Sequence, residues 1–576
     1  MINAKLQLTN LNELKQHEDV DPQHLKDLTQ KIASDKILKF AIVADKNTKV
    51  ILDGEHRFNV LKNLGCKKIP VVYVDYNSPY ILVQSWRKDK KLTKKDVIEA
   101  GLSGKKLPPK TSRHMIKMSD NLTHIFAIEK RVDIPIEALK GELQLVDAKN
   151  IKPAMHTDFK EVLKIYSKIL ESDIVENALI LDGETGIVLD GYETYHALDL
   201  FSAVKMPAFT VNIAKVEIKS LQNGLKPVTK ETIIEAGLKG PKLPPKSFKV
   251  LNEPLQISIP LKNLLAQKDR SRNPLKVYSS TLELLYEGWP TPLVKLNSVS
   301  NDKLSVWSKL EGFNPFSNSV KDRIGFSMIM EAVERGNLKE ILYEATSTNT
   351  GIALTSIANI LGVKAKLYIP KTIQKVSDIY LKVLGAEVVR LPVGLTVEAI
   401  GQVDNEAKKD KAAHLNQFEN DANFKVHLKH TAREIDEQLA SLGLKPSCLI
   451  GGLGTSGHMS AISFYFKTKY KNNIKIMGVQ PAPNEVIPGI RRIETGMKWY
   501  HWVHFDKILD VTQKEALEGA IQIARKEGLL VGLSAGAVFS AFNKVKEEQG
   551  VCILVFPDTG YKYAEHFENY FANTEK

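Results

Sequence analysis

The sequence has few cysteines and no long hydrophobic run, and both absences narrow the class of protein. Its three cysteines, Cys66, Cys448 and Cys552, are too few and too widely spaced for a disulfide framework or a metal-binding cysteine cluster. No apolar segment reaches about 18 residues without glycine or charge, and the opening "MINAKLQLTNLNELK" lacks the apolar stretch of a signal peptide. These absences exclude a disulfide-rich secreted domain and a helical membrane protein, so we expect a cytoplasmic protein that binds no membrane.

Chain length and charge indicate the number of domains and the type of partner. A chain of 576 residues is too long for one hydrophobic core, and its 43% hydrophobic and 26% charged residues are typical of globular domains. The formal net charge is +13, but the 80 basic residues are spread along the chain among 67 acidic ones. This distribution favours a solvated, lysine-rich surface and small anionic substrates over nucleic acid as a partner.

An internal repeat organises the first half of the chain. "VIEAGLSGKKLPPKTSRH", which begins at Val97, aligns without a gap with "IIEAGLKGPKLPPKSFKV", which begins at Ile233. "KVILDGEHRFNVLKNLGCKKIPV" and "GIVLDGYETYHALDLFSAVKMPA" repeat in the same order. The repeat predicts two compact α+β modules, spanning residues 1–140 and 141–266.

The two copies keep the same turns but differ in their polar side chains. Both retain an Asp-Gly turn and a Pro-Pro-Lys segment, which shape the backbone. The chemically active side chains of the first copy are replaced in the second: Glu18, His56, Arg57, Trp86, Ser112 and His114 become Met155, Glu193, Thr194, Leu221, Phe248 and Val250. The comparison predicts an active first copy and a catalytically silent second copy.

The polar residues of the first copy suit an anionic ligand. The run from Lys110 to His114 offers charged and hydroxyl donors that match phosphate oxygens. A carboxylate close to such donors can take the proton of a hydroxyl nucleophile. These residues favour phosphoryl transfer without a Walker loop, although an ordinary solvated turn can have the same composition.

The first copy resembles the free serine kinases, which have the ParB/sulfiredoxin-type fold. The elements "HE", "LDGEHR", "LGCKKIPV", "SWR" and "PPKTSRH" follow that family's order across nearly all of residues 1–140. The resemblance implies phosphorylation of free L-serine by ADP or ATP with Mg²⁺. The same fold occurs in chromosome-partitioning DNA-binding proteins, so a nucleotide- or DNA-sensing regulatory module is the alternative.

The resemblance also implies roles for individual residues of the first copy. Glu18 would be the general base, Asp53 would take part in catalysis, and Trp86 would lie at the serine pocket. The residues implied at the nucleotide phosphates are His56, Arg57, Lys110, Thr111, Ser112, Arg113 and His114.

The second half of the chain alternates apolar strands, glycine-marked turns and helices, which is typical of a parallel α/β domain. Lys321 opens an amphipathic helix, where the helix dipole helps to lower the pKa of an amine. "EATSTNTGIAL", from Glu344, supplies hydroxyl and backbone donors suited to a carboxylate. "CLIGGLGTSGHMSAIS", from Cys448, places a glycine-rich turn between a strand and a helix. The sequence of this half therefore predicts a reactive lysine, a site that binds a carboxylate, and an anion cradle formed by the glycine-rich turn.

Residues 275–576 resemble the fold-type II pyridoxal-phosphate enzymes of the cysteine synthase/cystathionine β-synthase group. "PTPL", "KLEGFNP", "SVKDR", "TSTNTG", "NQFEN", "GTSG", "GLSAG" and "PDTG" occur in that family's order. The expected fold class is α/β, with two ParB/sulfiredoxin-like α+β modules followed by a tryptophan synthase β-like domain. The resemblance implies pyridoxal 5'-phosphate as cofactor, β-replacement on an amino acid, and a homodimer through this domain.

The same resemblance implies the site residues of the last domain. Lys321 would form the Schiff base with the cofactor, and Thr559 would hydrogen-bond its pyridine nitrogen. The other implied cofactor contacts are Asn349 at the 3' oxygen and Gly454, Thr455, Ser456, Gly457 and His458 at the phosphate. The residues implied at the substrate carboxylate are Thr346, Ser347, Thr350 and Gln417. Thr348, Ser456 and His458 depart from the residues usual in the family.

The two resemblances together predict a bifunctional enzyme of cysteine biosynthesis. The first copy would make O-phospho-L-serine, and the last domain would replace its phosphate with sulfide to give L-cysteine. A synthase of this kind needs a cation for the leaving phosphate, and Arg491 in "IPGIRRIETG" is the candidate. The alternatives are O-acetylserine as substrate, and homocysteine or an amine as nucleophile.

Overall fold

The computed structural model describes residues 5–87, 91–118, 121–221, 227–251, 254–266, 275–545 and 547–574. The chain divides into two compact units, Met1–Lys268 and Asp269–Lys576. None of the helices formed by the described residues is long and apolar enough to cross a membrane.

The first unit contains both copies of the repeat. Its strands are β1 Lys5–Asn10, β2 Ile37–Phe40, β3 Ile42–Asp45, β4 Ile51–Asp53, β5 Lys68–Val74, β6 Ile81–Ser85, β7 Ser112–Met118, β8 Asn121–His124, β9 Arg131–Pro135, β10 Gln144–Asp147, β11 Ile174–Asn177, β12 Leu179–Asp182, β13 Val188–Asp190, β14 Lys205–Val211, β15 Lys219–Ser220, β16 Phe248–Lys249 and β17 Gln256–Pro260. Its α-helices are α1 Pro22–Asp35, α2 Glu55–Asn63, α3 Lys94–Ser103, α4 Ile136–Lys140, α5 Phe159–Ser172, α6 Tyr192–Leu200 and α7 Lys230–Leu238.

The two copies have the same topology. The first forms a four-stranded sheet in the order β1-β5-β3-β4, and the second forms one in the order β10-β14-β12-β13. In each sheet the first two strands pair antiparallel and the middle two pair parallel. Lys110 and Lys246, which the sequence alignment pairs, both have a left-handed backbone, with φ of 57° and 58°. The second copy has therefore kept the backbone of the first.

The Asp-Gly turn fixes where helix α2 begins. Gly54 has a φ of 99°, and a Cβ at this position would lie 2.5 Å from Cγ2 of Ile42. Only glycine fits such a turn, so the chain passes directly from Asp53 at the end of β4 into α2. The turn places Glu55 and His56 in the first turn of that helix.

The two copies contact each other within the first unit. Helix α4, at the end of the first copy, contacts strand β14 of the second. Lys219 of the second copy forms an ion pair with Asp133 of the first, with 3.0 Å between Nζ and Oδ2.

The second unit is built on two largely parallel sheets. Its strands are β18 Leu293–Lys295, β19 Leu304–Leu310, β20 Ile341–Ala345, β21 Lys364–Pro370, β22 Glu387–Leu391, β23 Ala413–His414, β24 Cys448–Gly452, β25 Lys475–Pro481, β26 Lys507–Val511 and β27 Gly550–Phe556. Its helices are α8 Thr281–Glu287, α9 Lys321–Glu334, α10 Thr348–Ile360, α11 Ser377–Val383, α12 Ile400–Lys409, α13 Ala422–Val426, the π-helix His427–Ala432, α14 Arg433–Ala440, α15 Gly457–Tyr470, α16 Gln513–Glu527, α17 Leu533–Val545 and α18 Ala564–Thr574.

The larger sheet has the strand order β18-β19-β27-β24-β25-β26, and the smaller has the order β22-β21-β20-β23. Apart from the antiparallel pair of β18 and β19, the paired strands run parallel. Strands β20 and β24 lead at their carboxyl ends into helices α10 and α15, the usual position of ligand sites in parallel sheets. The mixed α/β class predicted for the chain is confirmed.

A buried ionic cluster anchors the first turn of α9. The guanidinium of Arg323 is fully buried and bonds to Glu311 (Nε to Oε2, 2.6 Å) and to Glu434 (Nη1 to Oε1, 2.7 Å). Lys309 on β19 adds a third contact, with its Nζ 2.8 Å from Oε2 of Glu434. Because breaking a buried pair leaves an uncompensated charge, the cluster holds the start of α9, and with it Lys321, in one position.

Candidate active sites

Lys321 is the central residue of the candidate site in the second unit. Burial lowers the pKa of its amine to about 8, and the carboxylate of Asp558 opposes part of that shift. Asp558 is itself buried and accepts hydrogen bonds from Nδ2 of Asn349 (2.8 Å) and from the hydroxyl of Tyr563 (2.5 Å). An amine with this pKa is partly unprotonated near neutral pH, so it can act as a nucleophile or as a base.

The turn between β24 and α15 forms a cradle for an anion. Ser456 has a left-handed backbone with a φ of 75°. Its hydroxyl and Nε2 of His458 are buried and have no hydrogen-bond partner among the described residues. A Cβ on Gly457 would lie 2.4 Å from Oδ1 of Asn423, whose Nδ2 donates to the Thr455 hydroxyl at 2.8 Å. Unpartnered donors at the N-terminus of a helix suit a phosphate group.

His458 faces this cradle as a neutral imidazole. Burial lowers its pKa to about 3, and its ring packs against His427 with 4.8 Å between centroids. A neutral imidazole has one N–H, so His458 can donate a single hydrogen bond to an anion.

The residues predicted to bind a carboxylate lie around the start of α10. The hydroxyl of Thr350 donates to Oε1 of Gln417 at 2.9 Å, and the Thr346 hydroxyl donates to the carbonyl of Ser347 at 2.8 Å. Ser347 and Asn349 line an open cleft, whereas Thr346, Thr350 and Gln417 are buried behind it. The structure brings these four residues together with Asn349, which the resemblance implies at the cofactor's 3' oxygen, and Ser347 and Asn349 are at the surface of the cleft.

Thr559 and Asp558 differ in their surroundings. The methyl group of Thr559 lies against Gly312, where an added Cβ would be 2.8 Å away. Its neighbour Asp558 makes the contacts with Asn349 and Tyr563 described above, and Lys562 lines the same cleft. Sequence reasoning missed Asp558 and Lys562, although both lie within or next to the "PDTG" motif.

The first unit has a polar cleft of about 160 Å³. The sequence-predicted residues that line it are Glu18, Asp53, His56, Trp86, Lys110, Ser112 and His114. Glu55 also lines the cleft and was missed. Its position in the second copy is occupied by Tyr192, so the comparison of the two copies contained a signal for it.

Three further residues that the resemblance implies at the nucleotide phosphates make side-chain contacts beside the cleft. Arg57 donates to the Ala41 carbonyl at 2.8 Å, to Oδ2 of Asp53 at 2.9 Å, and to both oxygens of Glu129. The hydroxyl of Thr111 donates to the Pro108 carbonyl at 2.6 Å. The guanidinium of Arg113 lies over the Trp86 ring, 4.4 Å from its centroid. The side chains of Arg57, Thr111 and Arg113 therefore contact residues that surround the cleft.

The carboxyl group of Asp53 has an unusually high pKa. Burial raises its pKa well above the ordinary value, and the neighbouring carboxylate of Glu129 adds to the shift, while Arg57 opposes it. A carboxyl group in this setting can hold a proton at a pH where an exposed aspartate is ionised.

The second copy has apolar contacts where the first has its polar cleft. The rings of Tyr192 and Phe248 pack edge to face, 6.0 Å apart, at the positions of Glu55 and Ser112. Asp190 accepts hydrogen bonds from the backbone of Gly191, Val250 and Leu251. Asp190, which corresponds to Asp53, thus binds the backbone of its own copy.

The fold and site of the second unit define an enzyme with a reactive lysine and an anion cradle. Residues 284–558 match the family model described as pyridoxal-phosphate dependent enzyme. The chain is 34% identical over 291 residues to cysteine synthase from Aquifex aeolicus, a match that covers 47% of this chain and 88% of the relative. It is 35% identical over 283 residues to cysteine synthase B from Escherichia coli, covering 47% and 91%.

A crystal structure of a hydrogen sulfide-producing enzyme from Fusobacterium nucleatum is 31% identical with a TM-score of 0.46, covering 50% of this chain and all of that one. On the family match and the two sequence relatives, the chain belongs to the pyridoxal-phosphate dependent enzymes. Its C-terminal half is cysteine synthase-like.

The described residues fit this cofactor. Lys321 offers an amine for its aldehyde, and the unpartnered Ser456 hydroxyl and His458 Nε2 suit its phosphate. Asn349 has a buried Oδ1 without a partner among the described residues and lies beside Asp558.

Proposed function

We propose that the chain joins two steps of cysteine synthesis. The first copy phosphorylates free L-serine, and the second unit replaces the phosphate of O-phospho-L-serine with sulfide. The observation that carries the first step is the carboxylate of Glu18 in one cleft with Lys110 and His56. The observation that carries the second is the Lys321 amine, with a pKa of about 8, in a domain with a cradle for phosphate.

In the kinase step, Glu18 takes the proton from the hydroxyl of free serine. The serine oxygen then bonds to the terminal phosphorus of ADP or ATP, and the bond from that phosphorus to the rest of the nucleotide breaks. Lys110 and His56 line the cleft and would stabilise the phosphate charge together with Mg²⁺. Trp86, half-exposed at the same cleft, would contact the serine.

In the synthase step, Lys321 accepts the proton from Cα of the amino acid, and the phosphate leaves from Cβ. Pyridoxal phosphate, when bound, supplies the electron sink that makes this proton acidic. The hydroxyls of Thr346, Ser347 and Thr350 and the amide of Gln417 would hold the substrate carboxylate. Sulfide then adds at Cβ, and Lys321 returns the proton to Cα.

We also propose that this unit forms a homodimer, as in the family it resembles.

The whole proposal is tested with purified full-length protein, L-serine, ADP or ATP, Mg²⁺ and sulfide. We expect L-cysteine to form only when the nucleotide is present, and added O-phosphoserine to remove that requirement. Cysteine from O-phosphoserine without any phosphorylation of serine would contradict the kinase step alone. Failure of sulfide where an amine or homocysteine reacts would contradict the assigned nucleophile.

Arg491→Ala is expected to reduce kcat/KM for O-phosphoserine about ten- to a hundredfold more than for O-acetylserine. Arg491 lies at the anion cradle, where its Nε donates to the Gly454 carbonyl at 2.9 Å. Burial lowers its pKa to about 10, so it is still a cation at neutral pH. A hydrogen bond to a charged group contributes about 1.5–3 kcal/mol, which gives the expected factor.

Arg492→Ala is the matched control, because that guanidinium bonds to the Pro481 carbonyl and to Asp510. It should affect both substrates equally. If Arg491→Ala also reduces both by the same factor, Arg491 does not bind the leaving phosphate.

A further inference from the structure

A chain of four side chains runs through the wall of the cleft in the first copy. Nδ1 of His17 forms an ion pair with Oε1 of Glu55 at 2.9 Å. Nε2 of the same ring lies 2.8 Å from the hydroxyl oxygen of Ser112. The Ser112 hydroxyl in turn donates to Oε2 of Glu18 at 2.6 Å. His17 is only 1% exposed and is shielded from water, whereas the other three side chains line the cleft.

The positions of the protons in this chain follow from its chemistry. An ionised carboxylate only accepts, so the single Ser112 hydroxyl proton points to Glu18. The hydroxyl oxygen must then accept from Nε2–H of His17. Nδ1 lies 2.9 Å from Oε1 of Glu55 without the alignment of a hydrogen bond, so this carboxylate favours a proton on Nδ1 through its charge. The two carboxylates, Glu55 beside Nδ1 and Glu18 beyond Ser112, therefore favour the imidazolium form of His17.

The groups around the ring agree with this charge. Burial lowers the pKa of His17, but Glu55 and Glu18 outweigh burial and raise the pKa above the ordinary value. The titratable groups that face the ring are Glu55 from α2, Glu18 from its own segment, and His114 from β7, whose ring is 5.5 Å away. Burial lowers the pKa of His114 well below its usual value, so His114 adds no competing charge.

The chain fixes one oxygen of Glu18. Oε2 accepts both the Ser112 hydroxyl and the Ser112 backbone N–H, the latter at 2.7 Å. Oε1 is then the oxygen available for the hydroxyl of free serine. A base held by two donors is oriented before the substrate binds.

The second copy supports treating these groups as a unit. The three residues behind Glu18, namely His17, Ser112 and Glu55, correspond to Ala154, Phe248 and Tyr192. The backbone around them is retained, and the isolated bridge between Glu18 and Leu107 has its counterpart between Met155 and Leu243. The second copy, which has lost Glu18, therefore lacks all four of the linked side chains.

We propose that His17 is a positioning residue for the general base, acting through Ser112 and held as an imidazolium by Glu55. This inference rests on the proposed serine kinase activity. It also reassigns Ser112: its hydroxyl orients Glu18, whereas the sequence resemblance implies a contact with the nucleotide phosphates.

Steady-state kinetics of the full-length protein separates the two roles of Ser112. We expect Ser112→Ala to lower kcat for serine phosphorylation about ten- to a hundredfold, with KM for the nucleotide changed less than about twofold. Ser172→Ala, on an exposed helix position of the second copy, is the matched control and should leave both constants unchanged. A raised nucleotide KM with an unchanged kcat would overturn the inference and restore Ser112 to the phosphate site.

The pH profile tests the imidazolium. Activity should fall on the alkaline side as His17 loses its proton, and Glu55→Gln should move this alkaline limb to lower pH, because it removes the charge that raises the pKa. Histidine NMR of the same proteins, with the His17 signal assigned by its loss in His17→Gln, should show the same downward shift. An alkaline limb that does not move in Glu55→Gln, or a neutral His17 at pH 7, overturns the inference.

The activity of the wild-type protein separates the two possible failures. If wild-type protein does not phosphorylate serine, the proposed function fails and the positioning role fails with it, whatever the state of His17. If wild-type protein is active but Ser112→Ala and Glu55→Gln match it in kcat and pH profile, only the positioning role fails.

Discussion

Lys321→Ala is expected to abolish cysteine formation from O-phosphoserine while serine phosphorylation continues at the wild-type rate. The Lys321 amine is both the group that bonds to the cofactor and the base for the Cα proton, and a general base alone contributes about 10²–10⁴-fold. Lys562 is near enough for its charge to lower the pKa of Lys321, but it cannot substitute, because its Nζ donates to the Ser317 carbonyl at 2.6 Å. The measurement is sulfide-dependent cysteine formation, together with the absorbance of lysine-bound cofactor, which should disappear.

Lys339→Ala provides the control, since Lys339 is exposed and lies just beyond the end of the same helix. It should keep both the absorbance and the activity. Cysteine formation at the normal rate by Lys321→Ala would remove Lys321 from the mechanism.

Glu18→Gln is expected to reduce serine phosphorylation by about 10²–10⁴-fold and to leave cysteine formation from added O-phosphoserine unchanged. Glutamine has nearly the same shape, but its amide cannot take a proton from the serine hydroxyl. The measurement is O-phosphoserine released from L-serine and nucleotide. Glu13→Gln, an exposed residue of the same copy, is the control. A loss of less than about threefold in Glu18→Gln would mean that another group is the base.

Local motifs predicted the backbone of both sites. The Asp-Gly turn at Gly54 and the strand–turn–helix at Ser456 depend on the conformations of a few adjacent residues, which sequence records directly. The position of Lys321 at the start of α9 was predicted for the same reason, because it follows from a short motif and a helical period. The family match supports the class of the second unit.

The run from Lys110 to His114 shows a case in which neighbouring residues in sequence did not predict which side chains share a site. The sequence predicts that all five side chains face one anion. Strand β7 begins at Ser112, however, and successive side chains of a strand point to opposite faces. Ser112 and His114 therefore line the cleft, while Arg113 lies against Trp86.

Partners distant in sequence could not be predicted. His17 meets Ser112 across 95 positions, and Arg323 meets Glu434 across 111. Such contacts depend on how whole elements pack, and a single sequence contains no local pattern for them. The internal repeat is the partial exception, because the replacement of His17 and Glu55 by Ala154 and Tyr192 marked both positions.

The contact between the two copies has a consequence for how the protein can evolve. The first copy concentrates Glu18, Asp53, Glu55 and Glu129 around one cleft, and like charges at close range oppose compact folding. Under the proposed function the second copy has no catalytic side chains to preserve, so selection can improve its packing without loss of activity. Because the copies share one compact unit, added stability in the second widens the range of substitutions that the first can accept. Under the proposed function, gene duplication gives the site of the first copy mutational tolerance, in addition to any new activity.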